Sequence, residues 1–242
     1  MIQRELGDSL YWVRGCRLDQ DFPATDEALD EPSGLLAIGG DLSPERLLRA
    51  YATGIFPWYS EGQPILWWAP NPRSVLGPGD IHISRSLAKV IRSGRFQTSF
   101  NSCFRRVVSA CAAPRTSQTG TWITPEMQNA YCKLHELGAA HSVECWQDGE
   151  LCGGLYGVAL GSIFFGESMF SQRRDASKVA FCRLCQLLSE WDYILIDCQI
   201  HTPHLERLGA RPLERSGFET LLSTLVRRDA DPTSWETQKA PL

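Results

Sequence analysis

Two polar side chains interrupt an apolar segment in the C-terminal part of the sequence, at Asp197 and Gln199 of YILIDCQI, residues 193–200. The segment is typical of a buried strand, and residues two apart on a strand point to the same face, so the carboxylate and the amide are expected side by side. A carboxylate taken into a core without a partner is costly. Asp197 therefore needs either a structural partner or a task, and these two side chains are suited to proton transfer and to hydrogen bonding of reacting groups.

The segments around this strand predict an α+β fold. DASKVAFCRLCQLLSEW, directly before it, has the apolar spacing of an amphipathic helix. Residues 141–170 predict an antiparallel meander, with a hairpin turn at Asp148-Gly149 and a second turn near Gly161. A further helix is predicted after Thr124, a typical N-cap residue that is followed by proline. This order of helices, meander and last strand indicates a layered arrangement in which the last strand pairs with the meander.

The first part of the chain is expected to form a small domain, residues 1–72, ahead of a larger one, residues 73–242. It is rich in turns and aromatic residues, and one short helix is predicted from Pro44 to Thr53 with Ser43 as its N-cap. Three tryptophans follow this helix: Trp58, Trp67 and Trp68. Their large rings must pack against something, either a core or a substrate.

Composition and cysteine usage predict a protein that stays inside the cell. The chain has 242 residues, 43% of them hydrophobic, which is enough for one large or two smaller cores. Its nine cysteines form no metal-type double CxxC, so reduced core thiols are expected. The N-terminus lacks the pattern of a secretion signal, and no apolar run approaches the roughly 18 residues of a membrane span. A soluble, cytoplasmic protein without a membrane partner is expected.

A basic segment contrasts with the formal net charge of −4. Seven basic residues and no Asp or Glu lie between Ile81 and Pro125. Arg85, Lys89 and Arg92 fall four and three residues apart, which places them on one side of a helix, here called the basic ridge. A phosphate backbone is the natural partner of such a ridge, and a solvated helix face is the alternative.

Six motifs that cover most of the chain make it resemble a known family: GLLAIGGDLSPERLLRAYATGIFPWY, WWAPNPR, TWITPEMQNAYCKLHELG, GGLYGVALGSIFFGESMFS, ASKVAF and IDCQIHTPHLERLGA. They resemble the leucyl/phenylalanyl-tRNA-protein transferases. The resemblance implies an enzyme that moves Leu, Phe or Met from aminoacyl-tRNA to the α-amino group of a protein beginning with Arg or Lys, marking that protein for degradation. It also implies a small N-terminal α/β domain and a C-terminal GNAT-like (N-acetyltransferase) domain with a mixed, mostly antiparallel sheet flanked by helices.

The resemblance places a reaction centre at the strand with Asp197 and Gln199. In the GNAT fold two neighbouring strands splay apart around the acyl donor, and here SIFFGESMF and YILIDCQI are expected to do so, which brings Glu167 to the same site. The aminoacyl ester is already activated, and attack by an amine leaves an ammonium that must lose a proton. Asp197 is expected to orient the amine and accept that proton, directly or through water, and Gln199 to hydrogen-bond the reacting groups. Glu167 is expected to pair with the cationic side chain of the acceptor.

Two alternatives stay open for Asp197. It can serve the fold instead, by capping the helix that begins near Thr202 or by an ion pair with Arg173 or Arg174. Positioning alone can also supply much of the barrier reduction for a reactive ester, so Asp197 need not be a true base.

The matched motifs also imply an apolar pocket for the donor's side chain. Phe164 and Ile196 are its expected walls, with Trp122 nearby and Leu155 at a position where the family pattern has Met. The preference among Leu, Phe and Met therefore stays open. By strict alternation Ile196 lies on the face opposite Asp197, so both can serve the site only if the strand end twists or the pocket wraps round its edge. The acceptor end of the tRNA is implied to bind the basic ridge.

An acetyltransferase that uses acetyl-CoA is the main competing interpretation. Such enzymes wrap the pyrophosphate in a Q/R-x-x-G-x-G/A loop, and the equivalent segment QRRDAS has Asp175 in place of the first glycine. Its charge and its restricted backbone are expected to obstruct that role. A non-catalytic RNA-binding module would explain the basic ridge but not the acid and amide in the strand. The five histidines show no metal-ligand spacing, so neither a metal nor an organic cofactor is expected, and a monomer is expected.

Overall fold

The computed structural model describes residues 10–15, 21–113, 121–228 and 235. The strands are β1 (Tyr11–Val13), β2 (Leu35–Gly39), β3 (Phe56–Pro57), β4 (Leu66–Trp68), β5 (Arg73–Leu76), β6 (Gln97–Phe100), β7 (Ala140–Gln147), β8 (Glu150–Leu160), β9 (Ile163–Ser171), β10 (Leu195–Gln199) and β11 (Arg211–Leu213). The α-helices are α1 (Pro44–Ala52), α2 (Arg85–Arg92), α3 (Phe104–Ala112), α4 (Pro125–Glu136), α5 (Ala176–Glu190), α6 (Pro203–Glu206) and α7 (Arg215–Leu225).

The N-terminal part forms a small sheet of four strands in the order β1-β2-β4-β3. β1 pairs parallel with β2, and both β2 and β3 pair antiparallel with β4. α1 begins at the predicted residue and ends one residue earlier than predicted. Trp67 is fully buried and its indole N–H donates to Gly39 O at 2.8 Å, whereas Trp58 remains 39% exposed. The tryptophans therefore divide between core packing and an accessible surface.

The larger sheet has seven strands in the order β11-β5-β10-β9-β8-β7-β6. Every neighbouring pair is antiparallel except β9 and β10, which are parallel. The predicted hairpin turn lies between β7 and β8, where Asp148 and Gly149 have φ values of +53° and +79°, as a type I′ turn requires. The predictions of an α+β fold, an antiparallel meander and a mixed sheet flanked by helices are confirmed.

β9 and β10 diverge after a short stretch of pairing. Only three residues of each strand pair, Leu195–Asp197 with Ile163–Phe165. β9 then continues along β8 to Ser171, while β10 follows β5 and carries a bulge between Asp197 and Gln199. A gap therefore opens between the two strands at the point where the polar side chains lie, as the resemblance implied.

Helices cover both faces of the larger sheet. α3 and α4 pack with the N-terminal part in one core, which contains Val107 and Tyr156. α5, the predicted amphipathic helix, packs in a second core with Leu184 and Ile196. The diverging strands are thus supported from both sides, which fixes the width of the gap between them.

The predicted division at residue 72 falls between β4 of the small sheet and β5 of the larger one. Contacts cross this point, because α1 packs on α4 and the hydroxyls of Tyr51 and Tyr131 lie 2.7 Å apart. The division into two domains stays a prediction.

The thiols of the described residues are in the predicted state. The eight cysteines there are all free, and six of them are buried, as predicted for reduced core thiols. No helix in those ranges is both long and apolar enough to span a membrane.

Trp235 packs into the second core from the C-terminal tail. Its ring stacks on His141 with 4.1 Å between ring centres, lies 5.9 Å from the ring of Phe164, and its N–H donates to the Tyr193 hydroxyl at 3.0 Å. Because the side chain is only 4% exposed, Trp235→Ala should lower the free energy of unfolding by about 3–5 kcal/mol in denaturant titrations. Leu137→Ala is the control, since that side chain is 65% exposed and should change stability by less than about 0.5 kcal/mol. Equal effects of the two substitutions would contradict a packing role for Trp235.

Candidate active site

The gap between β9 and β10 opens into a cavity of about 440 Å³. The four predicted pocket residues all line it: Phe164, Ile196, Trp122 and Leu155. The lining also contains apolar residues that were not predicted for this pocket, among them Phe56, Pro57, Trp58, Met169, Phe181, Leu184, Ile200 and Leu205. Two of these had a signal in the sequence: the Trp58 ring was expected to pack against a core or a substrate, and Leu184 lies on the predicted apolar face of α5. The cavity joins the N-terminal part, both diverging strands and α5 in one site.

Glu167 brings a carboxylate to this cavity. Its Oε1 accepts hydrogen bonds from Tyr51 Oη at 2.7 Å and from Gln199 Nε2 at 2.8 Å. Its Oε2 accepts one from Tyr131 Oη at 2.6 Å. A carboxylate offers about four acceptor positions, so these three donors leave one position on Oε2. The predicted meeting of Glu167 and Gln199 is therefore observed, and one further group can bind the carboxylate.

The oxygen atoms of Glu167, Tyr51 and Tyr131 form a closed triangle, because the two tyrosine hydroxyls are also 2.7 Å apart. While Glu167 is ionised, two phenolic hydrogens must serve three oxygen contacts, so one pair of oxygens meets without a hydrogen between them. A proton on the carboxyl supplies the third hydrogen and satisfies all three contacts. The arrangement therefore favours proton uptake by Glu167.

The electrostatic environment has the same effect on this carboxyl. Burial raises the pKa of Glu167 to about 7; the hydroxyls of Tyr131 and Tyr51 oppose that rise, and the charge of Asp197 adds to it. A carboxyl with this pKa exchanges protons near neutral pH, as a general base requires. Burial also raises the pKa of Tyr51 and Tyr131 well above the ordinary value, so both remain protonated donors.

Asp197 lies in a different environment from the expected one. It is fully buried and does not line the cavity. Its carboxylate forms a bidentate ion pair with Arg73, at 2.8 Å from Nε to Oδ1 and 2.6 Å from Nη2 to Oδ2. The guanidinium carbon of Arg73 also lies 4.8 Å from the ring centres of both Phe56 and Phe218. This ion pair joins the end of β10 to the start of β5 and to two aromatic rings.

The ion pair corrects two expectations about Asp197. The structural alternative named Arg173 or Arg174 as partner, but the partner is Arg73, and Thr202 caps the following helix with its own hydroxyl. The expectation that Asp197 faces the reaction centre also differs from the structure, because Arg73 engages both carboxylate oxygens outside the cavity.

Gln199 reaches the cavity because the end of β10 is irregular. Its φ is +61°, a left-handed conformation that is uncommon for a residue with a Cβ, and it follows the bulge. Its side-chain amide donates to Glu167, while its backbone N–H donates to Asp197 Oδ1 at 2.8 Å. The bulge also removes the conflict over alternation, since Ile196 and Gln199 both line the cavity and Asp197 between them does not.

Asp175 corrects part of the argument against a CoA loop. It has a φ of +72°, the left-handed conformation that glycine adopts readily, so its Cβ does not prevent that backbone shape. Its carboxylate lies at the start of α5, 3.0 Å from Lys178 Nζ and 3.7 Å from Arg174 Nε. The argument against a pyrophosphate there therefore rests on this negative charge alone.

The basic ridge is present on the surface of α2. Arg85, Lys89 and Arg92 are all exposed, and Leu87 is the buried residue of the helix. The ridge is therefore accessible, and its tRNA ligand stays a prediction.

Three partners of the predicted site residues had not been identified from the sequence: Tyr51, Tyr131 and Arg73. Tyr51 is 116 residues from Glu167 along the chain, and Arg73 is 124 residues from Asp197. Tyr131 lies in the helix predicted after Thr124, and its spacing of four and three residues from Met127 and Leu134 is typical of a core-facing side. No local spacing indicates such contacts, because only the folded sheets bring these residues together.

A cavity between diverging strands, an apolar pocket and a carboxyl suited to proton uptake are the parts of an acyl-transfer site. The family model for leucyl/phenylalanyl-tRNA protein transferase matches residues 75–223, and the model for the N-terminal domain of that family matches residues 40–71. The leucyl/phenylalanyl-tRNA–protein transferase of Stutzerimonas stutzeri is 56% identical over 219 residues, which cover 90% of this chain and 96% of that protein. The one of Alkalilimnicola ehrlichii is 58% identical over 210 residues, covering 86% and 81%.

Among solved structures, a GCN5-related N-acetyltransferase from Kribbella flavida is similar with a TM-score of 0.37 and 12% identity, over 70% of this chain and 60% of that one. The chain belongs to the leucyl/phenylalanyl-tRNA–protein transferase family.

Proposed function

We propose that the protein transfers Leu, Phe or Met from aminoacyl-tRNA to the N-terminal α-amino group of proteins that begin with Arg or Lys, which marks those proteins for degradation. Membership of the family supports this function. The observation that carries the proposal is one cavity that joins an apolar pocket to a carboxyl suited to proton uptake. The aminoacyl ester is already activated, so the reaction requires no cofactor.

The donor's side chain occupies the apolar end of the cavity, against Phe164, Ile196 and Leu184. Such a pocket distinguishes side chains by only about 1–3 kcal/mol per methylene group, which suits a donor set of Leu, Phe and Met. Trp58 and Trp122 line the same cavity and offer flat faces on which the terminal base of the tRNA can stack. The basic ridge then binds phosphates of the acceptor stem.

Glu167 accepts the proton that the attacking amine must lose. The free position on Oε2 binds the amine and receives its proton, while the hydrogen bond from Tyr131 holds this oxygen in place. An α-amino group has an ordinary pKa of about 7.7–8.0, so a base that titrates near neutral pH is well matched to it.

Atoms and charges balance over the whole transfer. The amine nitrogen attacks the carbonyl carbon of the ester, and the new amide bond replaces the bond to the ribose oxygen. The proton taken by Glu167 can return to that ribose oxygen as it leaves, so the carboxylate is regenerated. This assignment differs from the sequence-based one, in which Asp197 received the proton.

Gln199 and Asp197 have supporting roles in this mechanism. The Gln199 amide donates to Glu167 and holds the carboxylate in the cavity. Asp197 binds the Gln199 backbone N–H and the Arg73 guanidinium, and so fixes the irregular strand end that carries Gln199. In this proposal Asp197 is a positioning residue.

The cellular setting follows from the same function. The free, mostly buried thiols of the described residues suit a reducing compartment, and the cytoplasm holds both aminoacyl-tRNA and the acceptor proteins. The residues that line the cavity belong to one chain, so this site does not require a second copy of the chain.

The proposed function is tested by incubating purified protein with radiolabelled Leu-tRNA and a peptide that begins with Arg. The expected result is transfer of label to this peptide and none to the same peptide with an acetylated N-terminus. Acetyl-CoA as a separate donor tests the competing interpretation. Acetylation without transfer from tRNA would overturn the proposal and would show that Asp175 does not exclude CoA.

A further inference from the structure

A second cavity of about 500 Å³ adjoins the candidate active site. His204 lines both cavities, so the two meet at the start of α6. Six of the eight residues that line the second cavity are polar or charged: His82, Ser84, Lys178, His204, Glu206 and Arg207. It therefore differs in character from the first cavity, which is mainly apolar.

The walls of the second cavity are held together by close backbone packing. The backbone N–H of His82 donates to Leu208 O at 2.9 Å, which ties the segment before α2 to the segment after α6. Gly209 has a φ of +104°, and a Cβ there would lie 2.6 Å from Asp80 O. Only glycine permits this approach, so the shape of the cavity is built into the fold.

The charges around the second cavity favour an anion. Lys178 and Arg207 bring two cations to its lining, and Glu206 brings one carboxylate. Glu206 lies 3.7 Å from His201, and Lys178 lies 3.0 Å from Asp175 at the start of α5. An incoming anion binds Arg207 directly and shares Lys178 with the carboxylate of Asp175, whose side chain is 16% exposed.

The protonation state of His204 is compatible with an anionic ligand. Burial lowers the pKa of His204, and repulsion from Lys178 and Arg207 adds to this, so the ring is neutral near pH 7. A neutral imidazole still donates one N–H to an anion. Lys178 and Arg207 therefore produce a positive potential at His204, where the two cavities meet.

The position of the cavity matches the course that the tRNA end must follow. The ester in the active site is attached to the terminal nucleotide, whose 5′ phosphate leads to the preceding nucleotide. The basic ridge begins at Arg85, directly after Ser84 in the wall of the second cavity. A strand that runs from the active site to α2 passes this cavity.

We infer that the second cavity binds the phosphodiester that joins the terminal nucleotide of aminoacyl-tRNA to the nucleotide before it. Lys178 and Arg207 offset the phosphate charge, and His204 donates a hydrogen bond from the shared wall. The inference rests on the proposed function and adds to it a binding site that couples the reacting ester to the basic ridge.

Three donors test this inference: leucyl-adenosine without a phosphate, leucyl-adenosine with a 5′ phosphate, and complete Leu-tRNA. The measured quantity is the ratio of kcat/KM between the two short donors, which reports the phosphate alone. For the unaltered protein this ratio should be about 10 or more, as expected for a charge-assisted contact. In the variant with Lys178→Gln and Arg207→Gln it should fall to about 1. Arg211→Gln removes an exposed arginine that does not line the cavity and should leave the ratio unchanged.

The outcomes separate this inference from the function on which it rests. A ratio near 1 in the unaltered protein, or a high ratio that survives the double substitution, would overturn the phosphodiester site while leaving the transferase function in place. Absence of transfer from any donor, including complete Leu-tRNA, would overturn the function and the site with it. The site is supported if the ratio falls to about 1 in the double variant and stays high in the unaltered protein and in Arg211→Gln. Thermal unfolding of each variant checks that the fold is intact.

Discussion

Glu167→Gln is expected to lower kcat for peptide transfer by about 10²- to 10⁴-fold, the usual contribution of a general base. Glutamine keeps the size of the side chain and an acceptor oxygen for the tyrosines, so the fold and donor binding should be retained. An amide is not basic enough to accept the proton that the attacking amine must lose. Single-turnover transfer from Leu-tRNA to an Arg-peptide measures the effect on the chemical step.

The pH dependence of kcat/KM reports the ionisation of Glu167. Glu167 must be ionised to act, and its pKa is raised to about 7, so activity rises as pH increases through that value. The acceptor amine must also be neutral, with an ordinary pKa of about 7.7–8.0. Below both values, log(kcat/KM) should rise with a slope near 2 in the unaltered protein and near 1 in Glu167→Gln.

The alternative role of Glu167 predicts a different result. If the carboxylate only pairs with the cationic side chain of the acceptor, Glu167→Gln raises KM for an Arg-peptide and leaves kcat unchanged. The slope of the profile then still falls by one unit, so kcat under saturating peptide decides between the two roles. Tyr59→Phe is a suitable control, because it removes a hydroxyl bound to Glu126 at 3.1 Å rather than to Glu167.

Structural features that are determined by short stretches of the chain are predicted well from the sequence. The hairpin at Asp148-Gly149 formed as predicted, because two residues with positive φ specify that turn locally. The cap at Thr124 is also observed, with its hydroxyl accepting the N–H of Met127 at 3.2 Å. Both features depend on interactions within a few residues.

The roles of the site residues depend on contacts between distant parts of the chain. The motifs led to Glu167, Asp197 and Gln199, yet their division of roles depends on Tyr51 and Arg73, which lie far away in the chain. Strand alternation also failed at one position, because the bulge after Asp197 turns Gln199 into the cavity and leaves the acid outside it. A buried ion pair between the strands β5 and β10 and a bulge depend on pairing of strands far apart in the chain, and local periodicity carries no information about them.

Arg73→Met should lower the free energy of unfolding by about 3–5 kcal/mol, because it leaves the buried carboxylate of Asp197 without its partner. The Arg73 guanidinium carbon also packs 4.8 Å from the rings of Phe56 and Phe218, and methionine preserves part of that contact. Denaturant unfolding measures the loss. Arg174→Met is the matched control, since its side chain is 93% exposed and its ion pair with Asp175 should contribute less than about 1 kcal/mol.

A second substitution separates the role of this ion pair in stability from its role in positioning. Arg73→Met combined with Asp197→Leu removes both charges, so most of the lost stability should return. Activity should stay low, because the Gln199 backbone N–H no longer has the acceptor that holds the strand end in its left-handed turn. Recovery of full activity with stability would contradict the positioning role. Asp197→Asn completes the set, because asparagine keeps an oxygen that can accept the Gln199 N–H. The proposed mechanism requires that the slope of the pH profile stay near 2, and a loss of kcat as large as that of Glu167→Gln would contradict it.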